Sequence, residues 1–212
     1  MNAAATTITV YAGDLLGDYS FGDDHPFGPL RYTSFLERFQ QLGLDRRCRI
    51  AQPMMAQKAE IERFHTAEYV DWVAQASLAG SGYLDNGDTP AFPGVYEAAA
   101  RVVGTVLAAV TDLINGETCR AFVPIAGLHH AQRNAAAGFC IFNDYGVAIE
   151  TLRRQHDVRR IAYVDIDAHH GDGVYHAFES DHDLAIAESI HGTVRGDGFI
   201  MTMEVLDGQR KH

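Results

Sequence analysis

Cysteine and basic side chains are both scarce in this 212-residue chain, and each scarcity removes a class of protein. The three cysteines, Cys48, Cys119 and Cys140, form no C-x-x-C pair, so neither a disulfide framework nor a thiolate metal knuckle is expected. Seventeen Lys and Arg stand against 28 Asp and Glu, a formal charge of −11, which argues against a nucleic-acid partner because a phosphate backbone needs a clustered basic face. The same balance suits a cationic substrate, or simply solubility. No apolar run approaches the roughly 18 residues of a membrane span, and Met1 to Thr9 lacks the basic and apolar regions of a secretory signal. No membrane partner and a cytoplasmic location are therefore expected.

What is present is enough apolar sequence, 47%, to bury a sizeable core in one domain. Near-continuous apolar runs at Ile8 to Ala12, Arg120 to Ala126, Arg160 to Ile166 and Asp183 to Ile190 predict strands covered on both faces. Helical periodicity occupies Pro29 to Leu42, Thr66 to Leu78, Pro93 to Asn115 and Asn143 to Gln155. Alternation of the two predicts an α/β fold. The Gly/Asp/Pro-rich stretch from Gly80 to Pro93 is a long loop of the kind that carries function when ordered.

Chemistry concentrates at two strand ends. In AYVDIDAHHGDG, Ala162 to Gly173, an apolar strand ends in Asp165, Asp167, His169, His170 and Asp172. Alternate strand residues share a face, so Asp165, Asp167 and, if extension persists, His169 project together where open α/β sheets place their sites. A carboxylate and an imidazole two residues apart can reach one divalent ion, which makes Asp167 and His169 the candidate ligands of a catalytic zinc. Capping of a short helix from Gly173 to Glu179 would account for Asp172 alone. In PIAGLHHAQRNAAAGFC, Pro124 to Cys140, a second strand runs into His129 and His130, and a neutral imidazole oriented by a carboxylate is a general base at physiological pH.

The segments GLHHAQRNAAAGFCIFND and YVDIDAHHGDGVYHAF resemble the two signature segments of the histone deacetylase family. The similarity extends to DHPFGPLR (Asp24 to Arg31), HTAEYVDWV (His65 to Val73) and the loop from Asp88 into the Pro93 helix, covering residues 8 to 191. The resemblance implies a three-layer α/β/α fold around a mostly parallel sheet of the arginase/deacetylase type, and zinc-dependent hydrolysis of an acetylated lysine side chain, an acetylpolyamine or a small acetylated metabolite. It implies Asp167 and His169 as zinc ligands, His130 as general base oriented by Asp172, and His129 as its electrostatic partner oriented by Asp165. Gly138 and Phe139 would line the acyl-lysine tunnel, Asp88 would hold the substrate backbone, and Arg31 would belong to an internal product channel. Asp165, Asp167, His169, Ser189 and Ile190 match a structural potassium site.

The family pattern also includes a third zinc-binding Asp just before an Asp-Pro, and a Tyr after a Gly-rich turn. Here no proline follows Pro124 and no tyrosine follows Tyr175, and residues 192–212 diverge from the expected segment. Asp197 is better read as a solvated turn acid than as a replacement ligand. The expectation is a single, incomplete domain over residues 1–212, with a gap in the sheet between the Arg120 and Arg160 strands that invites self-association. Two alternatives accompany the deacetylase reading. A ureohydrolase would carry a second carboxylate where Gly171 stands, and an impaired, metal-binding remnant of the family would lack turnover.

Overall fold

The computed structural model describes residues 8–188 and the backbone of residues 202–204. These residues form two three-stranded sheets. In the first, β1 (Ile8–Tyr11) is flanked by β2 (Arg49–Ala51) and β3 (Arg120–Phe122), all parallel, with Thr9 opposite both Arg49 and Ala121. In the second, β4 (Ile161–Asp165) pairs in parallel with β5 (Leu184–Glu188), and β6 (Thr202–Glu204) runs antiparallel along the other side of β4. β3 and β4 therefore belong to different sheets, as expected from a gap between them.

Among the described residues six α-helices surround these strands: α1 (Leu30–Gln41), α2 (Lys58–Ile61), α3 (Ala67–Ala79), α4 (Val95–Ile114), α5 (Asp144–His156) and α6 (Asp172–Phe178). The central one is α4, whose Val95, Ala99, Ala100, Val102 and Val103 are fully buried and which packs on β1, β3, α3 and α5. Small side chains let those four neighbours approach one helix at once. Helix ends follow side-chain chemistry. The Thr66 hydroxyl caps α3 by accepting from Tyr69 N, the Asn143 amide caps α5 by accepting from Gly146 N, and Gly80 (φ 63) terminates α3 in the left-handed region. Pro93 precedes α4 instead of occupying its first turn, because Gly94 at φ 88 turns the chain between them.

The Arg120 strand is shorter than its apolar run. β3 stops at Phe122, before Pro124 with its missing N–H, and beyond it Gly127 N and Leu128 N donate to the Asp144 side chain of α5. β5 is described from Leu184 to Glu188, and Ser189, Ile190 and Asp197 lie outside the described residues. β2 escaped prediction because a three-residue strand in a polar surrounding, CRIAQ, has no periodicity to read. No helix among the described residues is long and apolar enough to cross a membrane.

Candidate active site

One cavity of about 400 Å³ gathers Arg31, Asp88, His129, His130, Gly138, Phe139, Asp167 and His169 in its lining. These residues come from segments spread across more than a hundred positions. Asp165 and Asp172 stand behind the two imidazoles.

The imidazoles rest on a pedestal built by the start of α5. Asp144, fully buried, accepts Gly127 N on Oδ2 (2.9 Å) and Leu128 N on Oδ1 (2.7 Å). Burial pushes its carboxyl up against the opposing pull of those N–H groups. The neighbouring Asn143 donates from Nδ2 to Ala131 O (2.8 Å) and His129 O (3.4 Å). Backbone on both sides of the His129–His130 pair is thus fixed by two consecutive side chains.

His129 is buried, and its Nδ1 lies 2.6 Å from Asp165 Oδ2. Asp165 also accepts the Tyr163 hydroxyl (2.6 Å) and Asp167 N (2.9 Å). Burial alone would depress the His129 imidazole, but the hydrogen bond and charge of Asp165, reinforced by Asp167 and Asp172, raise it above the usual histidine value. Burial likewise works against the Asp165 carboxylate, and its bonds to His129, Tyr163 and Asp167 N overcome that and hold it low. His130 Nδ1 meets Asp172 Oδ1 at 2.7 Å, and the two rings stand 4.2 Å apart, centre to centre. Asp172 is the first residue of α6 and spends its carboxylate on His130, with no side-chain cap at that helix.

Extension does not persist past Asp165, where β4 ends. Asp167 instead folds the chain back, its Oδ1 accepting His169 N at 2.8 Å in an Asx turn that brings His169 Nδ1 to 2.9 Å from the same oxygen. One carboxylate oxygen and one imidazole nitrogen therefore meet at the cavity wall, with the His169 side chain 70% exposed. This donor pair fits two corners of a zinc site in type and proximity. Among the described residues no third carboxylate, imidazole or thiol joins them.

The mouth is tied together by Thr89, a buried residue missed in the sequence. Its hydroxyl donates to Asp85 and accepts Phe139 N (3.1 Å), while Asp85 Oδ1 also accepts from Gly87 N, Asp88 N and Thr89 N. His25 accepts Phe27 N on Nδ1 (3.0 Å), so Nε2 carries the proton and donates to Asp88 O at 3.1 Å. Phe139 sits at φ 67, a left-handed conformation rare for an aromatic residue, held by the Tyr19 hydroxyl donating to its carbonyl at 2.6 Å. Gly138 beside it (φ 53) is required twice over, since a Cβ there would lie 2.5 Å from His130 Cδ2. Arg31 lies 4.7 Å from the Phe27 ring centre and borders both this cavity and a smaller apolar one of about 120 Å³ lined by Val106, Val110, Phe122 and Ile125. Burial lowers its guanidinium, an effect that Asp167 opposes.

A histone deacetylase domain model matches residues 25–202. The chain belongs to the histone deacetylase family. It is 36% identical over 187 residues to the acetoin utilization protein AcuC of Bacillus subtilis (strain 168), covering 84% of this chain and 47% of that protein. It is 33% identical over 199 residues to the AcuC of Staphylococcus xylosus (91% and 51%), and 33% over 202 residues to histone deacetylase 6 of Arabidopsis thaliana (91% and 42%). Among solved structures, the HD domain of HDA15 superposes with a TM-score of 0.79 at 26% identity, over 87% of this chain and 53% of that one. The chain thus spans about half the length of the curated relatives it matches. The family match also runs beyond His191, into the segment whose sequence looked divergent.

His65 supplies a pH-dependent test of the pedestal. Its Nε2 accepts Asn143 N at 2.8 Å and its Nδ1 faces Arg133 O at 3.3 Å, so only the neutral ring with the proton on Nδ1 satisfies both. Burial drives its value down to about 3. An unfolded histidine protonates near 6.5, so the stability that neutral His65 provides is complete above that pH. It is lost as pH falls from about 6.5 towards 3, on the order of 1.4 kcal/mol per unit. Urea midpoints between pH 7 and 4 should therefore fall more steeply in the parent than in His65→Gln. Parallel pH dependences would show that another group titrates.

Proposed function

We propose that this chain carries the acid–base half of an amide hydrolase site that removes acetyl groups from the side-chain amine of lysine or a similar amine. The observation that supports it is the convergence, in one cavity, of two carboxylate-backed imidazoles and a separate carboxylate–imidazole donor pair. His130 takes the proton of the attacking water and returns it to the leaving amine, its ring held by Asp172 through Nδ1 so that Nε2 serves the reaction. His129, raised in basicity by Asp165, stabilises negative charge as it develops on the acetyl oxygen. Asp167 and His169 would hold a zinc ion, which when bound polarises the acetyl carbonyl and acidifies water. Phe139 and Gly138 flank the acyl-bearing chain, Asp88 engages the substrate at the mouth, and Arg31 borders the route away from the acetyl group. An acetylated lysine side chain, an acetylpolyamine and a small acetylated metabolite all match this chemistry. A metal-binding protein without turnover is the second reading, favoured by the two-donor set.

The protein loaded with zinc should release acetate from an acetyl-lysine peptide, an N-acetylated diamine or a small acetylated metabolite. Stoichiometric zinc with no acetate from any of them would favour the second reading, and urea released from a guanidino substrate would overturn both.

A further inference from the structure

A second group of imidazoles lies outside the cavity, on the turn that follows His169 and on α6. The rings of His170, Tyr175 and His176 form a triangle, with centres 5.1 Å apart for His170–Tyr175, 5.5 Å for Tyr175–His176 and 6.0 Å for His170–His176. None of the three lines the candidate active site.

Each imidazole has a carboxylate on its Nδ1 side. His170 Nδ1 is 2.6 Å from Glu188 Oε2, and the Glu188 side chain is only 5% exposed. His176 Nδ1 faces Glu179 Oε2 at 3.6 Å. A ring whose Nδ1–H is directed at a carboxylate keeps the lone pair of Nε2 for another partner, and this arrangement orients most metal-binding histidines. Glu188 is unusual for a surface pair because burial fixes it, so it sets the His170 ring and does not merely attract it. The His170 and His176 side chains are 36% and 61% exposed, open to an ion from solvent. A shared ion about 2.0–2.1 Å from each nitrogen would separate the ring centres by roughly 5–6 Å, close to the separation seen here.

We propose that His170 and His176 form a second metal site, positioned by Glu188 and selective for a transition ion such as Zn²⁺, Ni²⁺ or Cu²⁺ over Mg²⁺ or Ca²⁺, which prefer oxygen. With two protein donors it is an open, exchangeable site completed by water. It shares a short stretch of backbone with His169 and Asp172, so an ion bound there stiffens the segment that carries both. The assignment stands on these residues alone and does not depend on the chemistry of the cavity.

Equilibrium dialysis of the full chain against Ni²⁺, read by atomic absorption, tests it. The parent should bind one more equivalent than His176→Ala or His170→Gln, and His156→Ala on α5 should match the parent. Glu188→Gln should keep the stoichiometry and weaken that equivalent by about 10–100-fold. Asp167→Ala should leave this equivalent in place, so an unchanged metal content in that variant would count against the proposed active site and not against this one. Equal Ni²⁺ binding by the parent, His176→Ala and His170→Gln would overturn the proposal, as would the same loss in His156→Ala. Circular dichroism of each variant separates a lost ligand from a lost fold.

Discussion

His130→Ala should lower acetate release by about 10²–10⁴-fold, the usual contribution of a positioned general base, while zinc content stays at the parent's level. Asp167→Ala and His169→Ala should do the opposite in one respect and the same in the other: activity falls, and one equivalent of zinc is lost with it. The contrast follows from the geometry. His130 is paired through Nδ1 with Asp172, whereas Asp167 and His169 already share a contact at 2.9 Å. With two protein donors, loss of either leaves a single side chain, which cannot retain an ion through dialysis. Asp172→Asn offers a finer version. It preserves the shape of the pair but removes the charge that fixes the His130 tautomer, so the rate should fall with metal and fold unchanged. Loss of zinc from His130→Ala would mean that this imidazole is a ligand, and the proposed division of labour would be wrong.

The sequence exposed the elements whose energetics are local. α3, α4 and α5 could be placed because helical periodicity runs through Thr66 to Leu78, Pro93 to Asn115 and Asn143 to Gln155. β4 was legible because its apolar run ends in charge. β2 and α2 were not, since each is short and held by what it touches: β2 by its register with β1, and α2 by packing on α4 and α5. The truncation of β3 needed the knowledge that Asp144 would draw the backbone of Gly127 and Leu128 away from a sheet ladder, a contact made across 17 and 16 residues.

The site divides in the same way. His129, His130, Asp165, Asp167, His169 and Asp172 stand out because titratable groups crowded at the ends of apolar strands are not a packing pattern. Residues that support them carry no such signal. Thr89 and Tyr19 look like an ordinary loop threonine and an ordinary core aromatic, yet they hold Phe139 in a left-handed conformation at the mouth. His65 reads as one more polar residue before a helix, and only its burial shows that its neutral form is required. Long-range hydrogen bonds leave no periodicity, so these residues are invisible until the chain is folded.

The largest effect on stability is expected at Asp144, for reasons that also bear on activity. Asp144→Ala would leave Gly127 N and Leu128 N buried without an acceptor, at about 1–3 kcal/mol each. Together that is about 2–6 kcal/mol, a large part of the 5–15 kcal/mol that usually separates a folded domain from its unfolded chain. Asp144→Asn should recover part of the loss, because one amide oxygen can still accept while the NH₂ opposes the second donor. The carboxylate also sits at the N-terminal end of α5, where the helix dipole favours negative charge, and both substitutions forgo that contribution. His129 follows Leu128 directly, so a loosened backbone misplaces both imidazoles even in the molecules that remain folded. Urea denaturation should therefore rank parent above Asn above Ala, and acetate release per folded molecule should fall in the same order. If Asp144→Ala unfolds at the parent's midpoint, the loop carrying His129 and His130 must be held by Asn143 and by its packing on α6, and the pedestal argument fails.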